Sequence, residues 1–185
     1  KEHSYYANVC NNLANTYMSM GQFEKAELLL LEAKELREKL VGKEHTDYAA
    51  NCNNLANLYE DMGEYEKAEP LYLEAKNIRE KIFGKEHTQY ADACNNLAVY
   101  YLHTGQYNKA EALYLEAKDI REKAFGKMHI DYANTCNNLA ALYEEMNQYD
   151  KAESYYIEAI NLLEKIVGNE NPDYATACTG LGVLY

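Results

Sequence analysis

The chain has 185 residues, enough for one ordinary domain, and its 18 basic and 30 acidic side chains leave a formal net charge of −12. That balance argues against nucleic acid and anionic membrane as partners, because phosphates are held by clustered Lys and Arg. No apolar run approaches the ~18 residues that a spanning helix needs, and no signal or transit segment opens the sequence.

The stretch CNNLA occurs at Cys10, Cys52, Cys94 and Cys136, a constant step of 42 residues. A catalytic motif is normally used once, whereas one used four times builds architecture or a repeated surface. The chain divides into repeats 1–42, 43–84, 85–126 and 127–168 with a partial fifth, 169–185. With no linker between them, one continuous array is expected. The chain opens on Lys1 and breaks off at Tyr185 inside a repeat, which suggests a fragment of a longer protein.

Each repeat carries two helical patterns, and the one at 43–84 shows both. Cys52, Leu55, Ala56 and Tyr59 fall at i, i+3, i+4 and i+7, one apolar stripe of a first helix. Gly63 stops it. Tyr65, Ala68, Tyr72, Ala75 and Ile82 form the packing face of a second helix, and Gly84 closes it. In the fourth repeat Asn147 replaces the first-helix glycine, and asparagine is the next-best residue for the left-handed conformation. Pro70 falls in the second turn of its helix and is expected to face outward. Pro172 starts the last helix with Asn171 as its cap. Ala56 and Ala68 allow a close helix crossing, and tyrosine, present 19 times where tryptophan is absent, fills the wider gaps. A single helix pair cannot bury such stripes, so neighbouring pairs must stack. The last helix lacks its partner, which leaves Cys178, Leu181 and Tyr185 as an apolar face prone to fraying or end-to-end self-association.

The five cysteines, including Cys178, share the grid. Equivalent positions on stacked helices lie ~8–10 Å apart, too far for a disulfide. They read as buried free thiols of a reducing, cytoplasmic compartment. His3, His45, His87 and His129 recur in the loops before first helices and cannot converge on one metal. No phosphate loop or nucleophile–base order is present. The E-K-A-E and R-E-K runs read as solvated helix faces. No catalytic residue, metal site or cofactor is expected.

C-x-x-L-A-x-x-Y followed by A-x-x-x-Y-x-x-A resembles the tetratricopeptide repeat. The unit is longer than the usual ~34 residues. With NNLA, G-x-Y-x-KAE-x-LY and H-x-D-Y-A or NPDYA, it is similar to the subclass found in kinesin light chains and bacterial scaffold proteins. The resemblance implies an all-α fold, a right-handed solenoid of stacked antiparallel helix pairs, and a concave groove lined by first helices. It also implies that the second asparagines, Asn12, Asn54, Asn96 and Asn138, hydrogen-bond the main chain of a bound segment. The competing reading is that these amides brace neighbouring helices. The first asparagines, Asn11, Asn53, Asn95 and Asn137, point to the side and suit a structural role.

Helical geometry puts Asn57, Ala50 and Asp61 on the face of Asn54. The groove positions that vary between repeats include Asp92, Asn134, Thr176, Val99, Leu102, His103, Glu60, Glu144 and Glu145. None is Lys or Arg, so a neutral or basic peptide or helix is expected rather than an acidic one. The function expected is a non-catalytic protein-binding module. The alternatives are a regulatory or sensor domain of a larger enzyme, such as a protease or kinase, or a self-associating structural spacer.

Overall fold

The computed structural model describes residues 2–184, with side chains from Tyr5 onward. The described residues form helices and turns and no strand: α1 (Glu2–Ser19), α2 (Phe23–Val41), α3 (Thr46–Asp61), α4 (Tyr65–Phe83), α5 (Thr88–His103), α6 (Tyr107–Phe125), α7 (Ile130–Glu145), α8 (Tyr149–Val167) and α9 (Pro172–Val183). They fall into two compact units, Lys1–Lys85 and Glu86–Tyr185. In the first, α1 pairs with α2, α3 with α4, and α2 packs on α3. In the second, α5 pairs with α6 and α7 with α8, while α6 packs on α7 and α8 on α9. Odd-numbered helices are therefore the first helices of the repeats and even-numbered ones the second.

The turn inside each pair is set by one residue with a left-handed backbone. At Gly63, φ is +74°, and the Glu64 N–H reaches back to the Tyr59 carbonyl at 2.7 Å. Asn147 adopts φ +57° and leaves the Gln148 N–H on Tyr143 O at 2.8 Å, so the asparagine reproduces the glycine turn. First helices begin on histidine: the Nδ1 atoms of His45, His87 and His129 accept from the N–H two residues on. The grid histidines are N-caps, which accounts for their recurrence. His3 departs from the expected loop, since the backbone is already helical there. Asn171 caps α9 through Asp173 N–H, and Pro70 is exposed as expected.

The cores follow the stripes. Cys52, Leu55, Ala56, Tyr59, Ala68, Tyr72 and Ala75 are buried. Two expected members of the second-helix face are not: Tyr65 and Ile82 are about two-fifths exposed, at 43% and 39%, and Ile78 is buried instead. The second helix runs 19 residues against 16 for the first. At ~1.5 Å per residue it is longer than its partner by about one turn, which leaves Tyr65 and Ile82 near its ends less covered than the middle of the helix. Tyr48, Tyr90 and Tyr132, absent from the expected stripes, also belong to the cores. They are buried to within 1% exposure, and their hydroxyls donate to Glu74, Glu116 and Glu158 at 3.2, 3.1 and 3.0 Å. Burial and then neighbouring anionic groups push these phenols well above their usual pKa.

All five cysteines are free, four of them buried and Cys178 half-buried. Burial pushes the Cys52 and Cys136 thiols up to about 12. Lys34 and Lys118 pull the other way without prevailing. In α9 only Ala177 is buried, Leu181 is half-buried and Val183 is 68% exposed. Tyr185 lies outside the described residues. Gly180 stands where the other repeats have their second asparagine, and a Cβ there would collide with the Tyr156 ring.

Candidate functional site

The second unit contains a polar cleft of about 370 Å³. Three first helices border it. Asn95 comes from α5, Asp131, Asn134, Asn137 and Asn138 from α7, and Asp173 and Thr176 from α9. Asn134, Asn137 and Asn138 stand at i, i+3 and i+4, so one helix face presents all three amides. Arg121 enters from behind, on the second helix α6.

The hydrogen bonds in the cleft use one N–H of each of two amides. Asn138 Nδ2 donates to Asn95 Oδ1 at 3.1 Å, and Asn134 Nδ2 donates to Asp173 Oδ2 at 3.1 Å. Asn137 Oδ1 is buried without a hydrogen-bond partner, as is Arg121 Nε. Both terminal nitrogens of the guanidinium donate. One terminal nitrogen donates to Asp92 Oδ1 at 2.7 Å, and the other donates to Thr135 Oγ1 at 2.6 Å and to the Asp131 carbonyl at 3.2 Å. Thr135 in turn donates to that carbonyl at 2.7 Å.

Arg37 holds the matching place in the first unit. It donates to the Asp47 carbonyl at 2.7 Å and to Asn8 Oδ1 at 2.9 Å. Asn51, fully buried, takes the position of Thr135 and donates to the Leu30 carbonyl at 3.2 Å. Arg37 and Arg121 are each only 7% exposed. The reading of every R-E-K run as a solvated face is thereby corrected. Each of the two arginines is buried on its second helix, and its head donates to a backbone carbonyl near the start of the following first helix. The expectation of a face without basic groups holds for the first helices alone, because the cation arrives from the second. The signal was present in the sequence: position 37 of the repeat is Arg in three repeats and Leu163 in the fourth, a charged-to-apolar exchange that surface residues seldom need.

Of the residues expected to bind a partner, the structure brings Asp92 and Asn138 together around Arg121. Asp92 is neutralised there. Asn96, Val99 and Leu102 are half-buried on α5, and His103 is exposed at its end. Glu145 is exposed at the far end of α7, beside Tyr149 and Val183. Asn12, Asn54, Asn57 and Asp61 belong to the first unit. Asn12, Asn57 and Asp61 are exposed and Asn54 is half-buried. The Tyr72 hydroxyl lies 2.6 Å from both Asn57 Oδ1 and Glu60 Oε2. Among the described residues no group of His, Cys, Asp and Glu is arranged to hold a metal ion, and no helix is long and apolar enough to cross a membrane.

The tetratricopeptide repeat profile matches residues 5–81, 49–123, 91–165 and 131–185 in overlapping stretches. The chain belongs to the tetratricopeptide repeat family. Its structural neighbours are kinesin-light-chain-like repeat proteins. The crystal structure of BtubC (BKLC) from P. vanneervenii superposes with a TM-score of 0.85 at 27% identity, covering 99% of this chain and 73% of that one. A putative kinesin light chain from Podosopora anserina with nearly identical TPR-like repeats gives 0.82 at 24% identity, covering 100% and 88%. A singly substituted form of that protein gives 0.82 at 23%, covering 100% and 87%. No curated protein matches the sequence. Repeats of this family generally serve as protein-interaction scaffolds and are typically non-catalytic.

Proposed function

We propose that the chain is a non-catalytic, cytoplasmic interaction module that holds a segment of a partner protein, an extended peptide or a helix, against its first helices. The observation that carries this reading is the cleft of the second unit. Three first helices border it, and the amide groups of Asn95, Asn134, Asn137 and Asn138 retain hydrogen-bonding capacity there. An amide side chain offers a donor pair and an acceptor, the complement of a peptide unit. Asn12, Asn54, Asn57 and Asn96 extend the same chemistry in a single array spanning 1–185, with Val99, Leu102 and His103 as further contacts. Exposed Asp61 and Glu145, on a chain of net charge −12, favour a neutral or basic segment.

One observation favours a second reading. The Asn138–Asn95 bond joins two first helices, so the asparagines also brace the stack. Converting Asn134 and Asn138 together to alanine separates the two. Each lost hydrogen bond is worth about 0.5–1.5 kcal/mol, together roughly five- to a hundredfold in affinity. Peptides selected from a displayed library against the intact chain should lose affinity on the double variant while its melting temperature holds. A large drop in melting temperature with unchanged affinity would favour the bracing role and a structural spacer.

A further inference from the structure

We infer that the α5–α7–α9 cleft receives a cationic side chain of the bound segment, an arginine guanidinium above all. The inference rests on the groove reading above and adds to it the chemistry of one subsite.

Three observations lead there. The first is charge. Arg121 is the one cation at the cleft among the described residues, and Asp92 cancels it at 2.7 Å. Asp131, whose Oδ2 lies 3.5 Å from His129 Nδ1, and Asp173 then remain as carboxylates without a Lys or Arg partner among the described residues. The second is hydrogen-bond polarity. The nitrogens of Asn134 and Asn138 are already donating, to Asp173 and Asn95. Each side chain uses one of its two N–H groups there and keeps an uncommitted oxygen. Asn137 Oδ1 adds a buried acceptor with no partner. Asn134, Asn137 and Asn138 on one face of α7 and Asp173 on α9 line the cleft together. A cationic group that only donates answers these carboxylates and can use the uncommitted amide oxygens as well. Guanidinium carries five N–H donors and no acceptor, in a planar fork that fits a carboxylate. The third is room: about 370 Å³ lies within the range of small-ligand pockets and takes a side chain rather than a whole segment.

Arg121 does not oppose this. Both of its terminal nitrogens are turned to Asp92, Thr135 and the Asp131 carbonyl, behind the amide row.

The test uses the full chain, labelled with nitrogen-15, and the probe N-acetyl-arginine N-methylamide. Its neutral isostere, the citrulline analogue, is the comparison. The arginine probe should shift the side-chain amide signals of Asn134, Asn137 and Asn138 saturably in the millimolar range. Citrulline should bind at least about tenfold more weakly, the worth of a charge-assisted bond. Asp173→Asn removes the charge while its amide oxygen still accepts from Asn134, and it should weaken the arginine probe by about the same factor. Asn137→Leu, which replaces the amide by an apolar side chain on the cleft wall, should weaken the arginine probe as well, and circular dichroism checks that both variants fold. Asp150→Asn, on the exposed start of α8, should change nothing. No saturable shift, equal binding of citrulline, or an arginine affinity indifferent to Asp173→Asn would overturn the inference. Library peptides that bind through Asn134 and Asn138 yet show no arginine or lysine preference would also overturn it and leave the groove reading standing. Arginine binding at the cleft with no peptide ligand found would support the subsite and sink the groove.

Discussion

The Arg121–Asp92 pair makes an unequal prediction about its two halves. The arginine side chain is 8% exposed and the aspartate 38%. Removing the arginine leaves an anion that water can reach. Removing the aspartate leaves a cation that water cannot reach. Breaking a buried pair from the wrong side costs about 3–5 kcal/mol. Arg121 keeps Thr135 and the Asp131 carbonyl, so Asp92→Ala should fall at the lower end, about 3 kcal/mol. Arg121→Leu loses charge-assisted bonds but rehydrates Asp92 and buries an aliphatic chain instead. Thr135 retains its own bond to the Asp131 carbonyl, and the fourth repeat already carries a fully buried Leu163 at this position. Its cost should be about 1 kcal/mol. Urea unfolding followed by circular dichroism measures both, with the slope checked for constancy. If Arg121→Leu costs as much as Asp92→Ala or more, the argument from burial is wrong.

Cys52 and Cys136 should resist a neutral-pH maleimide in the folded chain. Because burial raises both to about 12 and the thiolate is the reactive form, their labelling should still be climbing at pH 10; a plateau near pH 9 would contradict this. Gly63→Ala should cost about 1–2 kcal/mol, since its φ of +74° strains any Cβ, whereas Asn147→Gly should be close to neutral, read from urea midpoints. Gly180→Ala pushes a methyl into the Tyr156 ring, which Glu144 anchors at 2.8 Å. Amide exchange in α9 should then accelerate while that in α5 does not change. Even in the parent chain, α9 should exchange faster than α7, and equal protection in a proven monomer would count against its sparse burial.

Periodicity exposed most of the fold because each packing residue recurs at the same offset. Cys52, Leu55, Ala56 and Tyr59 could be placed from one repeat and checked against three others. The turns were equally legible, since Gly63 and Asn147 answer to one backbone requirement. Ile82 was misplaced because a helical wheel describes angle and not length. Angle alone puts it on the stripe, but it lies near the end of a 19-residue helix, where it is less covered than the middle. Tyr48 and Arg121 were hidden for a different reason. Each buries a polar head on a partner far along the chain, 26 residues away for Tyr48 and 29 for Arg121. No local pattern announces a bond of that span. The amide row of α7 was visible as composition, but which of its atoms were already occupied depended on Asn95 and Asp173, on other helices.

The bonds described here obey one rule of distance. Tyr–Glu links join residues 12 or 26 apart, the arginines reach 10, 14 and 29 residues away, and the Asn138–Asn95 bridge spans 43. None skips a whole repeat. Insertion or deletion of one 42-residue block therefore keeps each such link between neighbouring repeats, with a partner at the same offset such as Asn8 or Asp92 opposite an arginine. Unequal recombination within such a coding sequence can lengthen or shorten the protein without inventing a new contact. Array length is in this sense an inheritable dial, set apart from the stability of any one step.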